Sequence, residues 1–506
     1  MKKKLFCGYF ICLAASAAVA QQTNDVDALK RQLQEATEKF DKALQEHRKI
    51  IDDLNRRLQQ VQVEQAKATG AVAAAAPSPA VAATPWRPTD PIRLVGDKRA
   101  YVNISFDGLF AAGSSTASDI EELQPGGHDP NQRGFTVQNL ETTFEGMVDP
   151  YFRGQANIVY QIDSEGESLL EVEEAYLETL ALPGNLQVKG GQYFTEFGRL
   201  NPTHPHSWAF VDQPLVNGRF LGGDGLRNPG ARVSWLMPTP FYSELFLSVQ
   251  NSHGETASSF RSAGDAHGGE EEEGEVPLAF RHADNDRGLK HVQDLLFVPR
   301  YAVSFDLTDS QTALFGASAA FGPNSRGGED GGDTDTQIYG LDLTWKWKSP
   351  RHTAGFPFVA WQTEAMLRRY DVGAFDWADE TEGQIIDEST GNPANLTGET
   401  LTDYGFYTQL LYGFRKGWVA GLRFDYVTGD RADYERMNLS LDGEPLGRDL
   451  QRAEGWRISP NLTWYPTEFS KLRLQYNYDD RKGIGEDHSV WLQFEFLLGS
   501  HGAHKF

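Results

Sequence analysis

Cysteine is confined to positions 7 and 12 of this 506-residue chain. Both lie within the first twenty residues, so the remainder has no disulfides, thiol catalysis or cysteine-based metal sites. No window after the N-terminus holds eighteen or more apolar residues, which excludes a helical membrane protein. Positive charge is scarce. Forty-seven Lys and Arg against 71 Asp and Glu leave a formal charge of −24, a balance unsuited to nucleic acid. There is no G-x-S-x-G, P-loop or HExxH. A hydroxyl nucleophile paired with His in a barrel wall is the one catalytic option left open, no spacing points to it, and a non-enzyme is expected.

What is present is alternation. In residues 417–429 (GWVAGLRFDYVTG) Trp418, Ala420, Leu422, Phe424 and Tyr426 fall on one face of a strand, and Val419, Gly421, Arg423, Asp425 and Val427 on the other. The pattern recurs at 152–161, 337–348, 471–479 and 490–498. The chain lacks the apolar core strands or amphipathic helices that would cover so many apolar faces, so lipid is the expected cover. With 12% aromatics, 50 glycines and a mean hydropathy of −0.49, the chain reads as all-β: a transmembrane antiparallel up-and-down β-barrel of about sixteen strands, preceded by an N-terminal α-helical coiled coil.

Four segments follow. Residues 1–20 carry Lys2, Lys3 and Lys4, an apolar stretch and a small-residue cleavage site at 18–20, and read as a secretory signal peptide. In 24–67, Leu29, Leu33, Ala36 and Phe40, then Leu44, His47, Ile51, Leu54, Leu58 and Val61, repeat at heptad spacing without Pro or Gly. This predicts a periplasmic coiled coil, a single amphipathic helix being the alternative. Residues 68–95 are an Ala/Pro-rich linker, and 96–506 the barrel. Connections alternate between short (149–150, 182–185, 238–240, 308–311, 349–354, 415–417, 466–470) and long (113–134, 251–291, 322–333, 373–402, 429–455). Aromatics such as Tyr151, Trp235, Trp418 and Trp464 cluster beside the short ones. This asymmetry predicts short turns in the periplasm and long loops outside.

Residues 134–164 (GFTVQNLETTFEGMVDPYFRGQANIVYQIDS) and 172–199, with EEAYLETL and GGQYFTEFGR, resemble outer-membrane channels of the phosphate-selective porin O/P type. A closer likeness is to a porin-like group sometimes described as zinc-regulated or receptor-like. It is carried by NPTHPH at 201–206, TPFYSEL at 239–245, YTQLLYGF at 407–414, LRLQYNYD at 472–479 and a tail ending HGAHKF. The resemblance implies a signal peptide, a coiled coil and a sixteen-stranded barrel. Phe506 is the aromatic end that outer-membrane assembly favours. Because 499–505 does not alternate cleanly, either the last strand ends near Leu498 or the assembly signal is atypical.

Inward positions carry acids in the early strands (Asp107, Glu141, Glu145, Glu174, Glu178) and bases in the later ones (Arg232, Arg300, Lys346, Lys348, Arg423, Arg457, Lys471, Arg473). Facing walls of opposite charge would set up a transverse field; a merely hydrated lumen is the alternative. Residues 195–228 break the alternation at Pro202 and Pro205 and bring Arg199, His204, His206, Arg219 and Arg227 close in sequence. They are expected to fold inward and narrow the pore, against an ordinary outer loop. The stretch 251–291 holds His253, His267, Glu271, His282 and His291 among other acids, a composition suited to weak zinc or calcium capture, or simply to a solvated loop among lipopolysaccharide phosphates. No cofactor is required.

The expected function is an outer-membrane porin for passive diffusion of small polar or ionic solutes, with a link to zinc or other divalent cations. The expected partners are membrane lipid, lipopolysaccharide, two further copies in a homotrimer, and a periplasmic or cell-wall partner for the coiled coil. The rival readings are a TonB-dependent-like receptor, which needs a plug and about twenty-two strands, and a structural anchor acting as a tether.

Overall fold

The computed structural model describes residues 90–96, 100–162, 166–262, 276–283, 289–327, 334–380 and 383–499. The expected signal peptide, the coiled coil, nearly all of the linker and Phe506 lie outside these residues.

Sixteen long strands follow one another: β1 (Tyr101–Ser115), β2 (Gly134–Met147), β3 (Phe152–Ile162), β4 (Ser168–Thr179), β5 (Leu186–Phe194), β6 (Arg227–Leu236), β7 (Tyr242–Asn251) and β8 (Leu295–Thr308), then β9 (Gln311–Pro323), β10 (Asp335–Thr353), β11 (Phe356–Val372), β12 (Glu399–Arg415), β13 (Trp418–Gly429), β14 (Gly455–Thr467), β15 (Ser470–Arg481) and β16 (Gly485–Leu498). Each pairs antiparallel with the next, and β1 pairs with β16 from Phe106↔Leu498 to Ser115↔Ser489. The sheet is a closed barrel, which leaves few edges; the shortest seam is between β4 and β5, paired only from Ala175↔Gln192 to Glu178↔Lys189. A short lead strand, Ile92–Gly96, pairs with β1 from Gly96↔Tyr101 to Ile92↔Ile104 and covers the part of β1 that β16 does not reach. The barrel sheet therefore begins at Ile92, a few residues before the expected boundary. Sixteen strands also fall well short of the number a plugged receptor needs.

The period-two pattern sorts the side chains as the sequence implies. On β15, Leu474 is 52% exposed on the outer face while its neighbours Arg473 and Gln475 are 1% and 0% exposed inside. The outer face is apolar around the ring, with Leu177, Leu247, Leu341, Leu410, Leu422 and Phe494 all exposed. Aromatics flank this surface. Near the short turns Trp418 stacks on Trp464 (5.8 Å between ring centres) and Phe241 meets Phe305 (4.8 Å); towards the other end Trp456 meets Tyr478 (5.1 Å).

One expected turn, 349–354, is shorter than anticipated. Ala354 and Gly355 both take positive φ (51° and 87°), forming a tight two-residue hairpin, so β10 runs on to Thr353 opposite Phe356. The last strand ends at Leu498, the first of the two alternatives for the C-terminus.

The core lies inside the barrel. In the half nearer the long loops, Leu215, Val216, Phe220 and Leu221 of a short, about two-turn helix α1 (Leu215–Leu221) pack with Phe197, Phe260 and inward Leu296, Ile338, Met366 and Tyr407. A second apolar cluster, with Phe280, Tyr370, Trp377, Leu396, Tyr434 and Leu439, joins the long connections beyond that rim. In the half nearer the short turns, inward Asp306, Lys346 and Lys348 of β8 and β10 are exposed, whereas Lys471 and Glu495 of β15 and β16 are buried, so the lumen there is open beside β8 and β10 and filled beside β15 and β16.

Candidate functional site: a loop inserted in the barrel

The connection between β5 and β6, residues 195–226, turns into the lumen. Pro202, Pro205 and Pro214 each remove a backbone donor and forbid a continuing strand, and α1 starts directly after Pro214. Every residue of α1 is buried.

Three sectors of the wall hold the loop. At its start, Glu364 on β11 accepts from the backbone N–H of Arg199 (2.9 Å) and of Leu200 (2.8 Å), while Ser318 on β9 accepts from Gly198 (3.0 Å). Gly198 sits at φ +62°, and a Cβ there would overlap the Glu364 carboxylate. The Phe197 ring rests where Gly340 leaves room. Further along, wall side chains take up the loop's carbonyls. Lys471 donates to His206 O (2.5 Å), Asn461 to Ala209 O (2.9 Å), and Arg473 to both Trp208 O and Phe210 O (2.9 Å each). Buried carbonyls need such partners, since each one left unpaired costs about 1–3 kcal/mol.

Asp212 is the strongest anchor. Its Oδ1 accepts from Arg423 (2.7 Å) and Gln475 (2.8 Å), and its Oδ2 from Arg457 (2.9 Å) and Asn477 (2.8 Å). Four donors from β13, β14 and β15 saturate one carboxylate. Burial disfavours its charge, but Arg423 and Arg457 outweigh burial and hold Asp212 below the usual carboxylate range. Burial, with Arg481 nearby, pushes Arg219 on α1 down to about 9; it donates to Ala453 O (2.8 Å).

In the third sector the loop meets β2 and β4. His204 Nδ1 lies 2.7 Å from Glu173 Oε2 and 3.4 Å from Glu141 Oε2, its Nε2 lies 3.0 Å from Glu174 Oε2, and its ring stacks on His206. His128, from the β1–β2 connection, places Nε2 3.3 Å from Glu173 Oε1. Burial works against a charged ring at His204, yet Glu141 and Glu173 prevail and raise its pKa well above the ordinary value. His206 is raised in the same way, against burial, by Asp107 and Glu141, and His128, also against burial, by Glu173.

The expected site residues divide accordingly. Arg199, His204, His206 and Arg219 are on the inserted loop, with Arg423, Arg457 and Arg473 as its anchors and Glu141 beside His204. Arg227 opens β6 and pairs with Glu171 and Glu173 on β4. Arg232 pairs with Glu196, Arg300 with Asp342 (2.6 Å), and Glu145 lies 3.9 Å from Arg153. Lys346 is exposed in the open part of the lumen.

The expected separation of an acidic wall from a basic one does not hold. Later strands carry inward acids of their own, and Arg423–Asp425, Arg457–Asp479, Arg368–Asp403 and Lys471–Glu495 are neutralised locally. Paired charges this close cancel at a distance, which leaves little transverse field.

Among the candidate metal ligands of 251–291, His267 and Glu271 lie outside the described residues. His253 and His291 are exposed, and His282 packs edge-on against Trp377 (4.9 Å). Among the described residues the group with metal-ligand spacing is elsewhere: Glu141, Glu173 and His204.

Glu173 was hidden in the sequence by a β-bulge. Asn157 pairs with Glu174 but Ile158 with Val172, so Glu173 is an extra residue and both glutamates are buried inside. Asp212 and Glu364 were missed because their partners lie far away in sequence.

No protein-family model matches the chain. A protein of Aquifex aeolicus described as uncharacterized is 29% identical over 437 residues, covering 80% of this chain and 79% of its own. Among solved structures, the chain is similar to the outer membrane channel DcaP of Acinetobacter baumannii, with 14% identity and a TM-score of 0.47 over 80% of this chain and 99% of that one. It is also similar to an anion-selective porin from Comamonas acidovorans, with 7% identity and a TM-score of 0.42 over 78% and 100%.

Proposed function

We propose that the protein is an outer-membrane channel for passive diffusion of small polar or ionic solutes, and that residues 195–226 form its constriction. One observation carries this reading: a closed ring of strands is apolar outside all the way round, while its interior holds buried charged and polar side chains beside the apolar core packed on the loop. So continuous an exposed apolar surface is a liability in water and a requirement in lipid. The even strand count, the flanking aromatics, and the short turns gathered at one end support insertion with that end in the periplasm.

The inserted loop crowds the lumen and leaves it open beside β8 and β10 near the short turns. A solute entering from the open end meets Arg199 and Lys346, then the narrow space between the loop and the wall. Because the wall charges are paired, discrimination there rests on size and hydrogen bonding more than on net field. Assembly as a homotrimer, contact with lipid and lipopolysaccharide, and a periplasmic coiled coil belong to the same proposal.

The test is conductance of the purified, folded protein in a planar bilayer across a salt gradient. Discrete ohmic steps are expected. An Arg199→Ala variant should shift the largest solute admitted. Silence from correctly folded protein would sink the channel reading, and an unchanged exclusion size in the variant would sink the constriction.

A further inference from the structure

We propose that Glu141, Glu173 and His204 form a binding site for one divalent cation of the zinc class, placed where the inserted loop meets the wall. Each residue offers one ligand atom, and the three atoms lie within 4.8 Å of one another. Zinc holds nitrogen and oxygen ligands at about 2.0–2.2 Å, which in tetrahedral geometry sets ligand atoms about 3.4 Å apart. His204 Nδ1 and Glu141 Oε2 stand 3.4 Å apart, while His204 Nδ1 and Glu173 Oε2, now 2.7 Å apart across a shared proton, would open by about 0.7 Å around an ion.

The atoms facing the site meet only one another and neighbouring cations, without well-aligned hydrogen bonds. Glu141 Oε2, both oxygens of Glu173 and His204 Nδ1 are buried and lack a hydrogen bond of acceptable geometry, although Glu141 and Glu173 are 0% exposed. Two fully buried carboxylates need a cation beside them; in the metal-free site a protonated His204 supplies it, and a bound ion would take the place of that proton. Arg227, 3.2 Å from Glu173 Oε1, supplies a second cation on the far side and leaves Oε2 directed at His204.

The surroundings also orient the ligands as metal sites require. Glu174 engages His204 Nε2 at 3.0 Å, which turns Nδ1 towards the site, and Thr143 and Asn157 occupy Oε1 of Glu141, which leaves Oε2. One imidazole and two carboxylates suit a borderline ion such as zinc. Calcium prefers six to eight oxygens, which this pocket does not gather. The glutamates come from β2 and β4 and the histidine from the loop, so a bound ion would tie the loop to the wall.

The experiment is metal analysis of full-length folded protein, stripped with EDTA, loaded with zinc chloride and desalted. Wild type should retain one equivalent. His204→Gln and Glu141→Gln should each weaken retention at least tenfold while heat-modifiable gel mobility still reports a folded barrel; His253→Gln should retain it. Zinc-edge absorption of the loaded wild type, which needs no variant, should show imidazole nitrogen with oxygen. No retained zinc in wild type, full retention in both site variants, or a first shell without imidazole would overturn the site. Metal content is read independently of conductance, so this proposal and the channel reading stand or fall separately.

Discussion

Arg457 on β14 donates to Oδ2 of Asp212 on the inserted loop at 2.9 Å, across 245 residues of chain. With Arg423 on the other oxygen, this contact makes one loop carboxylate the counter-ion of two wall arginines. Removing one partner of a buried ion pair costs about 3–5 kcal/mol, because the remaining charge stays desolvated. Here Arg423 keeps Asp425 and Arg457 keeps Asp479, which moves the cost towards the lower end. Asp212→Asn should therefore loosen the loop without unfolding the barrel. Single-channel recordings should show larger or noisier steps, and limited proteolysis should cut within 195–226. A variant with wild-type conductance and protease resistance would refute Asp212 as the anchor.

The same contact fixes a pH dependence. Asp212 is held below the usual carboxylate range, so the unfolded or undocked loop binds its proton more readily than the docked loop. Docking is then fully supported above the ordinary carboxylate pKa of about 3.9 and lost as pH falls below it. Acidification through that range should bring on the Asp212→Asn behaviour in wild type, reversibly, and should change Asp212→Asn itself much less. Equal acid responses in the two proteins would place the titrating group elsewhere.

How much of this was legible beforehand depends on the range of the interaction. The facing of Leu422 against Arg423, or of Leu474 against Gln475, follows from a period of two and needs no knowledge of neighbours. Turns such as 149–150 and 416–417 follow from Pro and Gly. That 195–226 leaves the wall was readable from its prolines, because such a segment cannot continue a strand; its inward direction was an expectation from the Arg and His it carries, with an outer loop as the alternative. Its anchoring was not readable. Asp212 finds Arg423 and Arg457 only once β13 and β14 are placed, and nothing local marks it. Alternation also misleads at bulges: counting by twos from Glu174 sends Glu173 to the outer face, where the extra residue in β4 in fact keeps it inside. The acidic and basic walls failed for a related reason, since cross-strand pairs such as Arg300–Asp342 are set by register, which composition does not carry.

Gly198 tests the other end of the loop. A residue at φ +62° with Glu364 pressed against it has no space for a side chain, and Gly→Ala where φ is positive destabilises by more than about 1 kcal/mol. Gly198→Val should displace Arg199 and Leu200 from Glu364 and lower the urea midpoint of the folded barrel. Gly184→Ala, at a positive-φ turn with nothing near its Cβ, should cost backbone strain alone. A Gly198→Val loss no larger than that of Gly184→Ala would show that Glu364 gives way easily.

The membrane reading is tested by Leu422, midway along β13, between Leu410 and Pro460 on the neighbouring strands and 51% exposed. An exposed leucine in water can be replaced by arginine within about 0.5 kcal/mol, because neither side chain is packed. On a lipid-facing wall the same change costs about 2–4 kcal/mol at the bilayer midplane and falls towards zero near the headgroups. Leu422→Arg should therefore destabilise the barrel strongly in reversible unfolding from lipid vesicles. Leu186→Arg, beside the short turn before β5, should have a much smaller effect. A graded cost with depth would fix both the lipid contact and its position along the strands. Equal, small costs at the two sites would mean that the apolar exterior is covered by something other than hydrocarbon, and the channel proposal would lose its premise.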